Sequence, residues 1–251
     1  LLDLRTILSN HVMLAMADST YVLAADIVNG NTANAHYQGA ALGNLYAGSA
    51  ATQMEDLVDK WFFGTDHPAA PGYTYQTVSG TLFSNGPAYT DIAQGALGEC
   101  YRVATLGSIA QHYTSSIQNM FTDNGDGTFT VRFYAGGQAD YVTVDRMLPT
   151  AGGYAAYASF GGSYASAGNE LWVALAEKAY AQWNETGKTQ RGDNVNTYAA
   201  IEGGWMGDVD AQVLGRSAST YSTSSWNLQT LINALNAGKA VTAGSDSSNP
   251  G

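Results

Sequence analysis

The sequence has one cysteine, few charged residues and no long apolar run. The single cysteine, Cys100, excludes an intrachain disulfide framework and a cysteine-rich zinc site. Charged residues make up 12% of the chain, about half the usual fraction, and the 21 acidic residues outnumber the 10 basic ones. Duplex nucleic acid and anionic membranes bind clustered lysine and arginine, and the sequence has no such cluster. Both kinds of partner are therefore excluded. No apolar run reaches the roughly 18 residues of a membrane span.

The residues that are abundant indicate a globular protein with a polar, weakly charged surface. Hydrophobic residues make up 45% of the 251 residues, which is enough to bury a core. The acidic surface, with 29 glycines and 16 tyrosines, favours a secreted or extracellular protein. The chain begins with Leu1 and shows no basic segment followed by an apolar one. We therefore expect a mature or excised fragment from which any targeting segment has been removed.

Hydrophobic periodicity predicts a helical N-terminal module followed by a mixed region. In the module we expect helices over 1–16, 20–28 and about 54–62, and a linker over 67–72. Downstream, the patterns predict the following elements: helices over 100–113, 169–183 and 226–235, strands over 117–121, 128–134 and 141–145, and a loop over 150–168. The turn residues 123–127 between two of these strands are typical of a hairpin. The fold class is α+β.

The segment 91–101 carries the candidate chemistry. Cys100 begins a predicted helix, whose positive end favours a thiolate over a thiol. Gln94, on a glycine-containing turn, can fold back so that its amide and the Cys100 N–H face a developing oxyanion. These groups make half of a thiol acyl-transfer site. The alternative is an inert cysteine in the core, and residue types alone favour it.

Residues 94–101, Gln-Gly-Ala-Leu-Gly-Glu-Cys-Tyr, resemble the nucleophile motif of the calpain family of papain-like cysteine peptidases, Gln-Gly-x-Leu-Gly-Asp-Cys-Trp. Further segments that resemble family motifs follow in the same order: 129–134, 141–149, 169–172, 176–181, 202–204 and 238–243. The resemblance covers roughly residues 80–245, and several ordered motifs make it more specific than the cysteine motif alone. Residues 1–72 resemble the leader region of bacterial calpain-like proteins.

The resemblance implies a papain-like cysteine peptidase core. Residues 73–215 would form the cysteine-bearing subdomain, and 216–251 the start of a second subdomain, opened by a strand at 240–243. Residues 1–72 would be a propeptide-like or accessory module. Cys100 would be the nucleophile and Gln94 the oxyanion donor in hydrolysis of a protein or peptide substrate through a thioester. Tyr101 departs from the family's usual tryptophan, a mild change between two amphipathic aromatic residues.

The family's catalytic histidine and asparagine lie downstream of the strand matched at 240–243. Three histidines, His11, His36 and His67, precede the nucleophile, and His112 lies about 18 Å along its own helix. We expect surface or capping roles for all four. The chain should therefore be inactive alone, and a second chain or a C-terminal continuation would carry the missing residues. The alternative function is a catalytically inactive protease-like binding or structural module.

The same resemblance implies a Ca²⁺ ion held by Asp91 and Glu170 with carbonyls of Ser84 and Gly86. Carboxylate and carbonyl oxygens are the ligands that Ca²⁺ prefers. The alternative is that Asp91 caps a turn and Glu170 lies in the first turn of a helix. Residues 123–127 lack the alternating ligands and final glutamate of a calcium-binding loop, so we predict only a turn there.

Overall fold

The computed structural model describes residues 1–244 and confirms the α+β class. The helices are listed here in chain order: α1 Leu2–Ser9, α2 Asp18–Val28, α3 Ala51–Phe62, α4 Cys100–His112, α5 Thr114–Gln118, α6 Trp172–Asn184, α7 Met206–Leu214 and α8 Leu228–Asn236. The strands are β1 His36–Tyr37, β2 Ala40–Ala41, β3 Thr74–Thr77, β4 Phe121–Asp123, β5 Thr128–Ala135, β6 Gln138–Asp145, β7 Met147–Ala151 and β8 Tyr154–Ala155.

The N-terminal helices bury a small core of their own. Leu23 and Ile27 of α2 pack against Leu57 and Trp61 of α3. The prediction of one helix over 1–16 was wrong in its second half, because α1 ends at Ser9 and turns follow it. The side-chain amide of Asn10 donates to the Thr6 carbonyl at 2.7 Å, a local bond that competes with continuation of the helix.

The predicted linker, residues 67–72, is hydrogen-bonded to residues 196–197. Ala69 forms a parallel bridge with Thr197, and its N–H donates to the Asn196 carbonyl at 2.9 Å. The Pro68 carbonyl accepts the Tyr75 hydroxyl at 2.5 Å. This segment is therefore held at both backbone and side-chain level.

One antiparallel sheet has the strand order β4-β5-β6. Phe129 pairs with Val144 and Val131 with Val142, and all four side chains are buried. The strand predicted over 117–121 was wrong for most of its length, because α5 occupies Thr114–Gln118 and only Phe121 joins the sheet. A second sheet has the order β3-β7-β8.

Helix α6 is the centre of the larger core. Trp172, Leu175 and Trp183 are fully buried, and Phe133 of the first sheet stacks on Trp183 with ring centroids 4.8 Å apart. The buried face of α4, including Leu106 and Ile109, belongs to the same core. This packing leaves the N-terminus of α4 at the surface, where Cys100 lies.

The C-terminal part of the described chain is open. Helix α8 has no buried residue. The strand predicted at 240–243 is wrong, since these residues form no regular structure, and 245–251 lie outside the described residues. Between residues 1 and 244, no helix is both long and apolar enough to cross a membrane.

Candidate active site

Cys100 is the first residue of α4, and its side chain is exposed. The preceding residue, Glu99, gives no side-chain cap to the helix, while its carbonyl accepts the N–H groups of Arg102 and Val103 at 2.8 and 3.1 Å. The sulfur thus lies at the positive end of a 13-residue helix. An exposed side chain does not fit the alternative of a buried core cysteine.

The loop before Cys100 is hydrogen-bonded through its backbone to residues 156–159. The Ala96 N–H donates to the Ala156 carbonyl at 3.1 Å, and the Ser159 N–H donates to the Ala93 carbonyl at 2.9 Å. A Cβ atom on Gly95 would lie 2.0 Å from the Tyr157 carbonyl oxygen. Glycine is therefore required at this position by close backbone approach.

Gln94 begins this loop and has an exposed side chain. Its amide Nε2 donates to the Leu97 carbonyl at 2.6 Å, three residues before the sulfur. The side chain therefore folds back over its own turn. In this arrangement the Gln94 amide donates to a backbone carbonyl of its own loop.

The segment 202–204 holds the other side of the nucleophile loop. The Gly203 N–H donates to the Gly98 carbonyl at 2.8 Å, and the Gly98 N–H donates to Glu202 Oε1 at 3.3 Å. Gly204 has φ of +159°, and a Cβ there would lie 2.6 Å from the Tyr101 ring. A side chain at position 204 would therefore clash with Tyr101, the residue that follows Cys100.

Arg191 connects the segment 200–203 to Tyr101 through hydrogen bonds. Its guanidinium donates to the carbonyls of Ala200, Glu202 and Gly203 at 2.6–2.8 Å and to the Tyr101 hydroxyl at 3.1 Å. No pattern in the sequence around Arg191 predicts this role. The signal is tertiary, since the arginine lies 90 residues from Tyr101.

A small cavity of about 200 Å³ opens beside Tyr101. Arg191, Gly204 and Trp205 line it, and the Trp205 side chain is 74% exposed. Trp172 and Trp183, by contrast, are fully buried in the core. The cavity therefore offers an aromatic and a cationic wall next to the nucleophile helix.

A buried charged cluster lies beside the start of α4, and the sequence analysis did not predict it. Glu99, Arg102 and Glu177 are each at most 1% exposed. Arg102 Nη1 donates to Glu99 Oε2 at 2.8 Å, and the Ala158 N–H donates to Glu177 Oε2 at 2.9 Å. Burial and the neighbouring Glu99 raise the pKa of Glu177 well above its ordinary value.

None of the four histidines hydrogen-bonds to Cys100 in the described part of the chain. His11 Nδ1 contacts the Leu8 carbonyl, and His36 and His112 are exposed. His67 differs from the surface role expected, because its Nε2 lies 2.8 Å from Asp145 Oδ2 and its ring stacks on Tyr75. A general base for the thiol is absent from this constellation within residues 1–244.

The residues proposed for Ca²⁺ surround one loop. Asp91 Oδ2 accepts the Ala88 N–H at 2.7 Å and the Trp172 indole N–H at 2.9 Å, while Glu170 Oε1 accepts the Ser84 N–H at 2.9 Å. Asp91 thus caps its turn, whereas Glu170 precedes α6 and does not lie in its first turn. Gly86, with φ of +87°, lies in the same loop. Residues 1–244 contain no cluster of three or more His, Cys, Asp or Glu side chains placed to hold a metal.

Comparison with known proteins gives the family. The profile of the calpain family cysteine proteases matches residues 73–249. The chain belongs to this family. The match includes the calpain motif around Cys100 and extends through α6 and α8.

Individual calpains share this region. The calpain-1 catalytic subunit of Bos taurus is 34% identical over 134 residues, which are 49% of this chain and 16% of the relative. The calpain-2 catalytic subunit of Homo sapiens is 35% identical over 104 residues, which are 39% of this chain and 14% of the relative. The chain thus spans only a small part of the length of these calpains.

Proposed function

We propose that this protein is a calpain-like cysteine endopeptidase in which Cys100 is the nucleophile. The observation that carries the proposal is the exposed sulfur at the first position of α4, in a loop held to 156–159 on one side and to 202–204 on the other. Helix N-termini favour a thiolate, the form of cysteine that attacks carbonyl carbon. Membership of the calpain family supports the same chemistry.

In the proposed reaction the Cys100 thiolate attacks the scissile carbonyl carbon, and the amine leaves with a proton from the catalytic histidine as a thioester forms. Water then hydrolyses the thioester, which releases the acid and regenerates the thiol. The Cys100 N–H and Gln94 Nε2 stabilise the oxyanion. For this role Gln94 would exchange its hydrogen bond to the Leu97 carbonyl for one to the substrate oxygen. A histidine and an asparagine from a C-terminal continuation or a second chain would supply the base and orient it.

We propose residues 73–215 as the cysteine-bearing subdomain, with 216–251 as the start of a second one. The larger core, whose buried residues run from Val78 to Val213, supports the first boundary. Residues 1–72 would act as an accessory module, because their contacts outside this range lie with β3, β6 and the residues that follow α6 rather than with the loop at 94–100. The substrate would be an extended peptide beside Trp205, and the acidic, lysine-poor composition supports export.

We also propose a Ca²⁺ ion at the loop bounded by Asp91 and Glu170. Two carboxylates and the carbonyls of Ser84 and Gly86 fit its preference for oxygen. Bound there, the ion would supply positive charge that draws these oxygens together. The chain's own residues already tie Asp91 to α6 through Trp172, so this loop is connected to the helix behind the nucleophile.

The test is peptide hydrolysis by the full protein with any partner chain, using a fluorogenic peptide. Cys100→Ala should abolish turnover, and Gln94→Ala should lower kcat by roughly 10²- to 10³-fold, as for other single oxyanion donors. Gln111→Ala, an exposed glutamine on α4, is the matched control and should leave kcat unchanged. Absence of hydrolysis, with Cys100 alkylated no faster than a free thiol, would instead support the inactive binding module.

A further inference from the structure

Two buried carboxyl groups meet directly behind the nucleophile. Glu99 immediately precedes Cys100, and Glu177 lies in the middle of α6. Glu99 is a side-chain neighbour of Glu177 and raises its pKa. Because a carboxylate can only accept, a hydrogen bond between the two needs a proton on one of them. Glu99 Oε1 and Glu177 Oε1 are both buried, and neither accepts a hydrogen bond from an N–H or O–H group of the described residues.

Charge balance favours one proton. With both acids ionised, the pair and Arg102 would carry a net charge of −1 in a place that water does not reach. Burying such an uncompensated charge is costly. With one proton the cluster is neutral. Because Glu99 Oε2 already accepts from the Arg102 guanidinium, Glu177 is the acid that carries the proton.

Besides Arg102, the charged groups beside this loop are Glu202, whose Oε1 accepts the Gly98 N–H at 3.3 Å, and Arg191, which donates to the Tyr101 hydroxyl at 3.1 Å. The uncharged ionisable groups that face the pair are four tyrosines: Tyr75, Tyr101, Tyr157 and Tyr198. Burial raises the pKa of each hydroxyl, so they stay neutral near pH 7. Arg102 itself lies over the Tyr180 ring at 5.1 Å.

We propose that Glu177 is a positioning residue for Cys100, acting through a shared proton with Glu99. The pair connects Glu99, which precedes Cys100, to α6. Glu177 also accepts the Ala158 N–H, so the loop at 156–159 is held by the same side chain. The neutral state also keeps negative charge away from the start of α4, where it would oppose the thiolate. This inference deepens the proposed function and rests on it for its catalytic meaning.

The experiment measures alkylation of Cys100 by iodoacetamide against pH, with folding checked by circular dichroism. The label reports one atom, since the chain has one cysteine. The variants are Glu177→Gln, Glu177→Ala and the control Glu185→Gln, which changes another buried glutamate near the end of α6.

Glu177→Gln should label within about twofold of wild type at pH 7, because the amide keeps the hydrogen bond to Glu99 and the wild-type acid is already neutral. Glu177→Ala should label about 2- to 5-fold more slowly, the size of a helix-terminus effect on an ion. Glu185→Gln should label like wild type. If Glu177→Gln labels several-fold faster than wild type, Glu177 is ionised and the proposal is wrong; wild-type labelling by a folded Glu177→Ala also overturns it.

Should Glu177→Ala fail to fold, an infrared difference spectrum between wild type and Glu177→Gln at pH 7 decides the question. The difference spectrum should contain the band of one protonated carboxyl that wild type has and Glu177→Gln lacks, since the contribution of Glu185 is common to both and cancels. A difference spectrum without this band contradicts the proposal. Labelling does not depend on peptide hydrolysis. The expected labelling pattern without hydrolysis would leave this inference standing and defeat the proposed function, while hydrolysis with unaltered labelling in Glu177→Ala would do the reverse.

Discussion

Lys60 of α3 and Glu185, the residue after α6, form a buried ion pair with 2.7 Å between Nζ and Oε2. Lys60 also pairs with Asp66 and donates to the His36 carbonyl. The lysine therefore joins the N-terminal helices to the far end of the helix that carries Glu177. Burial raises the pKa of Glu185 to about 7 against the opposing charge of Lys60.

Replacing Lys60 should destabilise the whole fold. Lys60→Met leaves the Asp66 and Glu185 carboxylates buried without their cation, which costs about 3–5 kcal/mol for pairs of this kind. The measurement is urea unfolding at pH 8, where Glu185 is mostly ionised. Lys239→Met, at an exposed lysine, should stay within about 0.5 kcal/mol of wild type. Equal stabilities for the two variants would contradict a role for this ion pair.

Asp26 of α2 should make stability depend on pH. Burial raises its pKa from 3.8 to about 6 despite the nearby charge of Lys188, and its Oδ2 atom is buried without a partner. The folded state therefore binds the proton more tightly than the unfolded chain, so its contribution to stability falls as pH rises through this range.

Asp26→Asn removes that ionisation. We expect the variant to exceed wild type in stability by about 1–3 kcal/mol above pH 6 and to match it below pH 4. Unfolding free energies measured across this range check the prediction. Glu55→Gln, on the exposed side of α3, should show no such pH-dependent gain. A difference between Asp26→Asn and wild type that is constant with pH would rule out the mechanism.

The sequence predicts best where local pattern and tertiary packing agree. In α4 the helical spacing of Val103, Leu106 and Ile109 matches the face that the core buries. The predictions failed at 1–16 and 117–121, where side-chain bonding and packing override the apolar pattern. The apolar run at 240–243 has no strand to pair with among the described residues.

The candidate site divides in the same way. Cys100 and Gln94 are six residues apart and can be identified from one motif, whereas the groups that support them are distant in the chain. Glu177 lies 78 residues from Glu99, and Arg191 lies 90 residues from Tyr101. No periodicity connects such pairs, because their proximity is created only when α6 and the loop at 202–204 pack against α4.

Calcium should stabilise the protein through Asp91 and Glu170. At a free Ca²⁺ concentration of 100 times Kd, a single site adds about 2.7 kcal/mol to stability. We expect Ca²⁺ to raise Tm in wild type and Asp91→Asn and Glu170→Gln to lose most of that rise, although both amides can still accept the N–H groups of Ala88 and Ser84.

Asp126→Asn supplies the control for the calcium measurement. Asp126 Oδ1 accepts the Thr128 N–H at 2.9 Å within the hairpin turn, where we expect no ion. This variant should keep the Ca²⁺-dependent rise in Tm. A rise that persists in Asp91→Asn, or that is lost in Asp126→Asn, would place the ion elsewhere.

Substitution by alanine should damage the loop before Cys100 at Gly95 and have no effect at Gly98. A Cβ at Gly95 meets the Tyr157 carbonyl oxygen at 2.0 Å, so Gly95→Ala must displace the backbone on which the loop rests. Overpacking of this kind costs about 1–3 kcal/mol and should slow Cys100 alkylation as the loop shifts. Gly98 lies closer to the sulfur in sequence, yet its nearest new contact is the Glu202 side chain at 3.8 Å. Gly98→Ala should therefore fold and label like wild type, and a Gly95→Ala protein with unchanged unfolding free energy and unchanged labelling would show that the contact with Tyr157 does not position the nucleophile.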